Sequence, residues 1–343
     1  MVKKYRIGVI KGDGIGPEIV DAAIQVLNTL GINADYIELN AGYEYYKKSG
    51  KPFDNELFDI AKKLDAILKG PLYTPPHEKE FKSINVLIRK ELELYANVRP
   101  FKSFKGFSLR EFNFVVIREN MEDLYVGIEG MFNGMAIALK IITSEGSRRV
   151  IEYAFKYAKK HGFRKVTVVH KANILKVTDG LFREVFFEEA KKHPEIVADE
   201  IIVDTAAYTM VKNPEKFEVL VTPNLYGDIL TDLAAAIVGS LGLCGSAQIG
   251  KYTAVFEPVH GVALDIAGKG VANPIGEIES AKLMLYYLHE KFNDNYLFEK
   301  AMLLDKAIHT VVENWRILTP DLGGLYKTID VVKAFEKALA INT

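Results

Sequence analysis

The chain has 343 residues, 49% hydrophobic and 26% charged, a balance that folds throughout and leaves little room for extended disorder. Its 44 lysines and arginines oppose 45 aspartates and glutamates, so no global field favours nucleic acid or an anionic membrane surface, and any anion site is local. The length exceeds one ordinary domain and falls short of three, so two domains are expected.

The opening apolar run, Ile7 to Ile10, ends at Lys11 and is too short for the core of a signal peptide. Tyr5 to Ile10, Pro17 to Leu30 and Asn33 to Glu38 read in order as strand, amphipathic helix and strand, a βαβ opening. Further strands are predicted over Asp65–Leu68, Phe114–Arg118, Met135–Ile142, Lys165–His170, Glu218–Val221 and Ala254–Glu257. Helices are predicted over Asn85–Leu94, Ser147–His161, Thr178–His193, Asn224–Leu241, Pro274–Phe292, Leu297–Asn314 and Thr328–Ala340. This alternation predicts an α/β fold. Leu233 to Ala247, the longest weakly polar stretch, is interrupted by Gly and Ser and falls short of the ~20 apolar residues of a membrane helix. The single cysteine, Cys244, reads as a small core residue and suits a reducing compartment, so a cytoplasmic protein without membrane contact is expected. Arg99-Pro100 and Gly242 to Gly245 are the candidate hinges.

Three features carry chemistry. Gly12-Asp13-Gly14-Ile15-Gly16-Pro17 joins a strand to a helix, but its third glycine comes one residue early for the dinucleotide fingerprint, so it reads as a tight turn near a cofactor. Asp228 and Asp232 stand four residues apart in a helical pattern, so both carboxylates project from one face and call for a cation. A hard ion such as Mg or Mn takes a few carboxylates together with waters and substrate oxygens, and this pair supplies part of that set. Lys69, Arg89, Arg99, Arg118 and Lys171 lie at strand ends, in a helix, or beside Pro and Asn; the arginines can grip carboxylates as bidentate forks, but spacing alone does not show that they converge.

From Gly12 to Asp330 the chain resembles the β-decarboxylating dehydrogenases, the family of isocitrate, isopropylmalate, homoisocitrate and tartrate dehydrogenases. The segments that carry the resemblance are GDGIGPEIV from Gly12, LKGPL from Leu68, SINVLIRKELELYANVRP from Ser83, IRENMEDLYVGIE from Ile117, HKANILKVTDGLF from His170, NLYGDILTDLAA from Asn224, EPVHGVALDIAGKGVANP from Glu257 and TPDLGG from Thr319. The resemblance implies an isocitrate/isopropylmalate dehydrogenase-like fold. Its large α/β domain is built from both chain ends, here 1–99 and 245–343, and a smaller central α/β domain, 100–244, forms a homodimer with shared active sites in the interdomain cleft.

By matched motif, Arg89, Arg99 and Arg118 resemble the clamp on the substrate's carboxylates. Asp228 and Asp232, with Asp204 from the second subunit, resemble the Mg or Mn ligands. Tyr125, with Lys171 from the second subunit, resembles the proton-transfer pair. The HG loop, His260 and Gly261, together with Asn273, resembles the seat of the cofactor's adenosine half. Asp265 followed by Ile266 stands where NADP users have Lys and Tyr; a carboxylate there accepts bonds from ribose hydroxyls and repels a 2′-phosphate, so NAD is the expected cofactor.

Ser83 and Asn85 precede the arginine helix as in isocitrate users. A branched alkyl substituent would leave both unpaired at ~1 to 3 kcal/mol, whereas a third carboxylate would bond them. The expected reaction is oxidative decarboxylation of isocitrate to 2-oxoglutarate, with homoisocitrate, longer by one methylene, as the alternative and isopropylmalate or tartrate behind. A non-catalytic subunit of such a family would have lost one of these groups, and all are present. Two stretches depart from the family pattern: Val262-Ala263-Leu264 after the HG loop, and Tyr73 to Glu80 before Ser83.

Overall fold

The computed structural model describes residues 3–78, 81–108 and 110–342, so Lys79 and Glu80, which close the unusual approach to Ser83, lie outside the described residues. In chain order the strands are β1 Tyr5–Ile10, β2 Ala34–Glu38, β3 Ala66–Lys69, β4 Leu94–Lys102, β5 Asn113–Glu119, β6 Glu129–Phe132, β7 Met135–Ala138, β8 Lys165–His170, β9 Val197–Ile202, β10 Val219–Thr222, β11 Gly245–Gly250 and β12 Ala254–Pro258. The helices are α1 Gly16–Thr29, α2 Tyr43–Ser49, α3 Leu57–Ala61, α4 Ile84–Glu91, α5 Ser144–Lys160, α6 Thr178–Ala190, α7 Val203–Lys212, α8 Asn224–Val238, α9 Ile275–Phe292, α10 Asn295–His309 and α11 Thr328–Asn342. The α/β class expected from the alternation is the class observed.

The chain divides into two compact units: Met1–Leu92 with Phe104–Phe107 and Gly239–Thr343, and Glu93–Ser103 with Ser108–Val238. In the first, the strands run in the order β2-β1-β3-β12-β11. β1 is parallel to both β2 and β3, with Ile7 opposite Tyr36 and Ala66, and β12 is parallel to β3. β11 returns antiparallel to β12, with Gly245 opposite Pro258. β3 and β12 are buried at every position, as strands covered on both faces are. α9 packs along β3, β11 and β12, with α1 and α10 against it and α11 packed on α1 and α10.

In the second unit the order is β4-β5-β10-β8-β9. β4 is antiparallel to β5, Arg99 facing Val116, and β5, β10, β8 and β9 are parallel. α5 and α8 lie on β4, β5 and β10. β6 and β7 form a separate antiparallel hairpin.

The differences from the sequence reading have local causes. The helix predicted to Leu94 ends at Glu91, because Glu93 takes a positive φ of 48° and turns the chain into β4. β4 was not predicted: Pro100 reads as a break, yet it sits within the strand opposite Val115. The hinge expected at Arg99-Pro100 therefore falls inside a continuous strand, and the chain crosses between units at Leu92/Glu93 instead. Gly245, from the other expected hinge, is a close-packing residue: a Cβ there would lie 2.5 Å from Ser280 N. The predicted helix to Asn314 ends at His309 and continues as a π-turn over Thr310–Trp315, and the strand predicted to Ile142 stops at Ala138. Among the described residues, no helix is long and apolar enough to cross a membrane.

Candidate active site

The glycine turn of the first unit is shaped by backbone crowding. Gly12 and Gly14 have φ of 75° and 60°, and a Cβ would meet Pro71 O at 2.3 Å and Val262 O at 2.1 Å. Asp13 N donates to Pro71 O at 2.8 Å and Ile15 N to Val262 O at 3.0 Å, so the turn is clamped between two loops, one of which follows the HG pair. The buried Asp13 carboxylate accepts the N–H groups of Tyr43 at 3.0 Å, Glu44 at 2.8 Å and Tyr73 at 2.8 Å, capping α2 and fixing the start of the Tyr73 segment.

In the loop after β12, His260 Nδ1 contacts Gly261 O at 2.9 Å, while Nε2 is buried with no hydrogen-bond partner among the described residues. Burial lowers its pKa, so the imidazole is favoured neutral with one ring nitrogen unsatisfied. Gly261 has open space where a Cβ would be, and Asp265 is exposed. Ile266 packs against the core cluster of Val9, Ile15, Ile19, Val20 and Ala272, and Ala263 holds a positive φ of 40° in the Val262–Leu264 stretch. Asn273 is committed to the protein: its Nδ2 donates to Asp321 Oδ2 at 3.0 Å and its Oδ1 accepts Ile275 N at 3.0 Å, at the start of α9. An orphaned polar atom, an open glycine and an exposed carboxylate suit the adenosine half of a dinucleotide.

α4 carries Ser83 at its N-cap position, Asn85 in its first turn and Arg89 one turn further on the same face. Arg89 Nε donates to Gln248 Oε1 at 3.1 Å, and Gln248 Nε2 donates to Glu257 Oε1. Lys69, fully buried at the end of β3, pairs with Glu257 and donates to Gly70 O at 3.0 Å and Asn85 Oδ1 at 3.1 Å. Beside this network, on α9, Glu277 is fully buried and both its oxygens lack a hydrogen-bond partner among the described residues. Desolvation pushes its pKa well above the usual carboxylate range, against Lys69 and with Glu257.

The second unit gathers Arg99, Arg118, Tyr125, Asp228 and Asp232 on or against α8. Arg118, buried at the end of β5, donates to Asn224 Oδ1 through Nε at 2.9 Å and Nη2 at 2.7 Å, and its Nη1 pairs with Asp228. Tyr125 donates its hydroxyl to the other Asp228 oxygen, with its ring 4.9 Å from the Arg118 guanidinium carbon. α8 can lie this close because residue 227 is glycine: a Cβ would sit 2.6 Å from Arg118 Cγ. Arg99 reaches the same helix, Nη1 donating to Thr231 Oγ1 at 2.6 Å.

Asp232 remains accessible to solvent, yet its pKa is raised, first by loss of solvation and then by Asp228, against Arg99 and Arg118. Two carboxylates one turn apart, one with its pKa raised, suit a hard divalent cation, whose charge would offset their mutual repulsion. Lys171 and Asp204 pair with each other, with side chains 29% and 65% exposed, and Lys171 holds the Asp204 carboxyl below its ordinary range. Among the described residues no three His, Cys, Asp or Glu side chains gather within one chain to hold a metal; Asp204 stands on α7, not beside Asp228 and Asp232.

The structure therefore brings together Arg99, Arg118, Tyr125, Asp228 and Asp232 in one unit, and Ser83, Asn85 and Arg89 in the other. Gln248, Glu257, Asn224 and Gly227, which orient these groups, were missed as site residues. Glu257 heads the EPVHG segment and Asn224 opens NLYGD, so both were in view without an assigned partner.

Arginines and paired aspartates on an α/β scaffold suit the binding of a small carboxylated ligand. The chain belongs to the isocitrate/isopropylmalate dehydrogenase family, whose model matches residues 6–336. It is 46% identical over 340 residues to a homoisocitrate dehydrogenase of Methanocaldococcus jannaschii, covering 95% of each chain. It is 41% identical to a 3-isopropylmalate dehydrogenase of Methanothermobacter thermautotrophicus, covering 98% of this chain and 99% of that one. Among solved structures, isocitrate dehydrogenase from Methylococcus capsulatus superposes with a TM-score of 0.92 at 42% identity, over 98% of this chain and 99% of that one.

Proposed function

We propose that the chain is an NAD-dependent, divalent-metal-dependent dehydrogenase that oxidises and decarboxylates isocitrate, working as a homodimer with shared active sites. The observation that carries the substrate reading is the buried Lys69 ammonium against Asn85 Oδ1, one turn before Arg89. In this reading a polar end to the site, where Asn85 is held by an ammonium that Glu257 already pairs, suits a third carboxylate better than an isopropyl group, which would desolvate those groups without bonding them. Homoisocitrate, one methylene longer, is the second reading, favoured by the 46% identity to a relative of that name.

In this reading Arg89, Arg99 and Arg118 clamp the substrate carboxylates by charge-assisted hydrogen bonds. Asp228 and Asp232, with Asp204 of the second copy, hold Mg or Mn. When bound, the metal supplies Lewis-acid polarisation of substrate oxygens and NAD supplies the hydride acceptor. Lys171 of the second copy takes the hydroxyl proton as hydride leaves C2, and Tyr125 protonates the enolate carbon left after carbon dioxide departs. His260, Gly261 and Asn273 border the adenosine seat, and Asp265, with Ile266 beside it, favours ribose hydroxyls over a phosphate.

The second copy also covers an otherwise costly surface. In the β6–β7 hairpin Met131, Phe132, Met135 and Ile137 are 73%, 60%, 55% and 47% exposed. A lone two-stranded ribbon is marginal in water, and an apolar one calls for a partner.

Steady-state kinetics with manganese test the reading, comparing isocitrate, homoisocitrate and isopropylmalate, each with NAD and with NADP. The highest kcat/KM is expected for isocitrate with NAD. A higher value with isopropylmalate overturns the account of Ser83, Asn85 and Lys69, and a preference for NADP overturns that of Asp265.

A further inference from the structure

The second unit contains a buried charge bridge that the chemistry above does not use. Lys140, just beyond β7 and with its side chain 13% exposed, lies 3.1 Å from Asp123 Oδ1 and 3.1 Å from Asp179 Oδ1, and both carboxylates are completely buried. Neither of those oxygens has a hydrogen-bond partner among the described residues, so the ammonium is what compensates them. Its charge also lies 4.4 Å from the centre of the Tyr226 ring, which closes the bridge from the side of α8.

Each aspartate uses its second oxygen to hold a different segment. Asp123 Oδ2 accepts Leu225 N at 2.9 Å, anchoring the first turn of α8, the helix that carries Asp228 and Asp232. Asp123 also stands two residues before Tyr125 in a strained backbone conformation, φ 67°, held by paired hydrogen bonds with Ile141, the neighbour of Lys140. Asp179 Oδ2 accepts the backbone N–H of Lys171 at 2.7 Å. One ammonium thus ties the segment bearing Tyr125 and Asp228 to the segment bearing Lys171.

We infer that Lys140 is a positioning residue that couples the two active sites of the dimer. The inference rests on the shared-site reading, in which Tyr125 and Asp228 of a chain serve one site while Lys171 and Asp204 of the same chain serve the other. The Asp123–Lys140–Asp179 bridge then links, inside each subunit, the acid side of one site to the base side of its twin. Neutralising Lys140 leaves two buried carboxylates facing each other, and both segments must shift to separate them or admit water.

The test uses mixed dimers, purified through two tags, of a chain carrying Lys171→Met and a chain carrying Asp228→Asn. Each homodimer is inactive, and the mixed dimer retains one intact site, with Asp228 from the first chain and Lys171 from the second. Lys140→Met is then placed on either chain in turn. We expect kcat to fall about tenfold to a hundredfold in both arrangements, the cost of roughly ångström-scale misplacement, with KM little changed. Lys140→Arg, which keeps the charge, recovers most of the rate. Where Lys140→Met yields too little folded dimer, Lys140→Met with Asp179→Asn removes one buried charge and keeps an acceptor for Lys171 N–H, and the same two losses are expected. A loss in only one arrangement, or a lowered melting temperature with unchanged kcat in both, overturns the coupling. Absence of activity in the parent mixed dimer overturns the shared-site reading itself and the coupling with it.

Discussion

The two units build their polar clusters in opposite ways. In the first, Lys69, Glu257, Gln248, Arg89 and Asn85 form a buried relay in which ammonium, carboxylate, amide and guanidinium already bond one another. In the second, Asp228 is partly open, Asp232 is accessible and resists ionisation, and Lys171 and Asp204 pair on an exposed rim. On the proposed function, the contrast separates selection from chemistry. A pocket that discriminates between carboxylate and alkyl groups gains from rigidity, because its donors are then already aimed. A centre that must receive a cation, a substrate oxygen and groups from a second copy gains from carboxylates left with capacity.

The sharpest way to break the comparison is to remove capacity from the second cluster. Asp232→Asn is expected to lower kcat/KM by roughly a thousandfold or more, the equivalent of several kcal/mol of lost Lewis-acid stabilisation. The fold should stand, since Asp232 is exposed and the amide is isosteric with the carboxylate. Turnover as a function of manganese concentration, beside a thermal melt, reads both. Unchanged kcat with an unchanged metal requirement would take Asp232 out of the metal site.

The first cluster should respond in stability as well as in rate. Lys69→Met strands Glu257 without its cation in a buried network, and breaking such a pair from one side costs about 3–5 kcal/mol. Urea unfolding should show that loss. A change below ~1 kcal/mol would mean that water enters and that the relay is not dry.

How much of this was legible in the sequence follows from the range of each interaction. The α8 carboxylates were legible because a one-turn spacing is a local property, and the βαβ opening because hydrophobic period is too. The tight turn at Gly12 to Gly16 could be read from its spacing, while its cause, backbone contact with Pro71 and Val262, could not. The orienting groups were illegible for the same reason: Asn224 meets Arg118 from 106 residues away, and Gln248 meets Arg89 from 159. The need for glycine at 227 lies in its contact with Arg118, far earlier in the chain, and so has no local signal. β4 was hidden by Pro100, whose local signal opposes the strand that β5 imposes.

pH separates the two units as well. Glu277 in the first unit and Glu119 in the second are both buried carboxyls with raised pKa, each mainly through desolvation. A raised acid stabilises the fold in full below its unfolded pKa, and that contribution is lost as pH rises through the folded value. Glu119, which also accepts the N–H groups of Met121 at 2.7 Å and Glu122 at 2.8 Å, is raised only to about 7. Its loss therefore runs from about 4.5 to about 7 and then stops. Glu277 lacks any such donor among the described residues and is held well above the usual carboxylate range by desolvation, so its contribution too is lost as pH rises through its folded value. Glu277→Gln deletes that loss at nearly constant shape. Its stability relative to the parent should rise with pH, by up to about 1.4 kcal/mol per unit while Glu277 resists ionisation, in urea titrations between pH 5 and 9. Parallel curves for the two proteins would mean that Glu277 is ionised and solvated throughout, and that the first cluster is as open as the second.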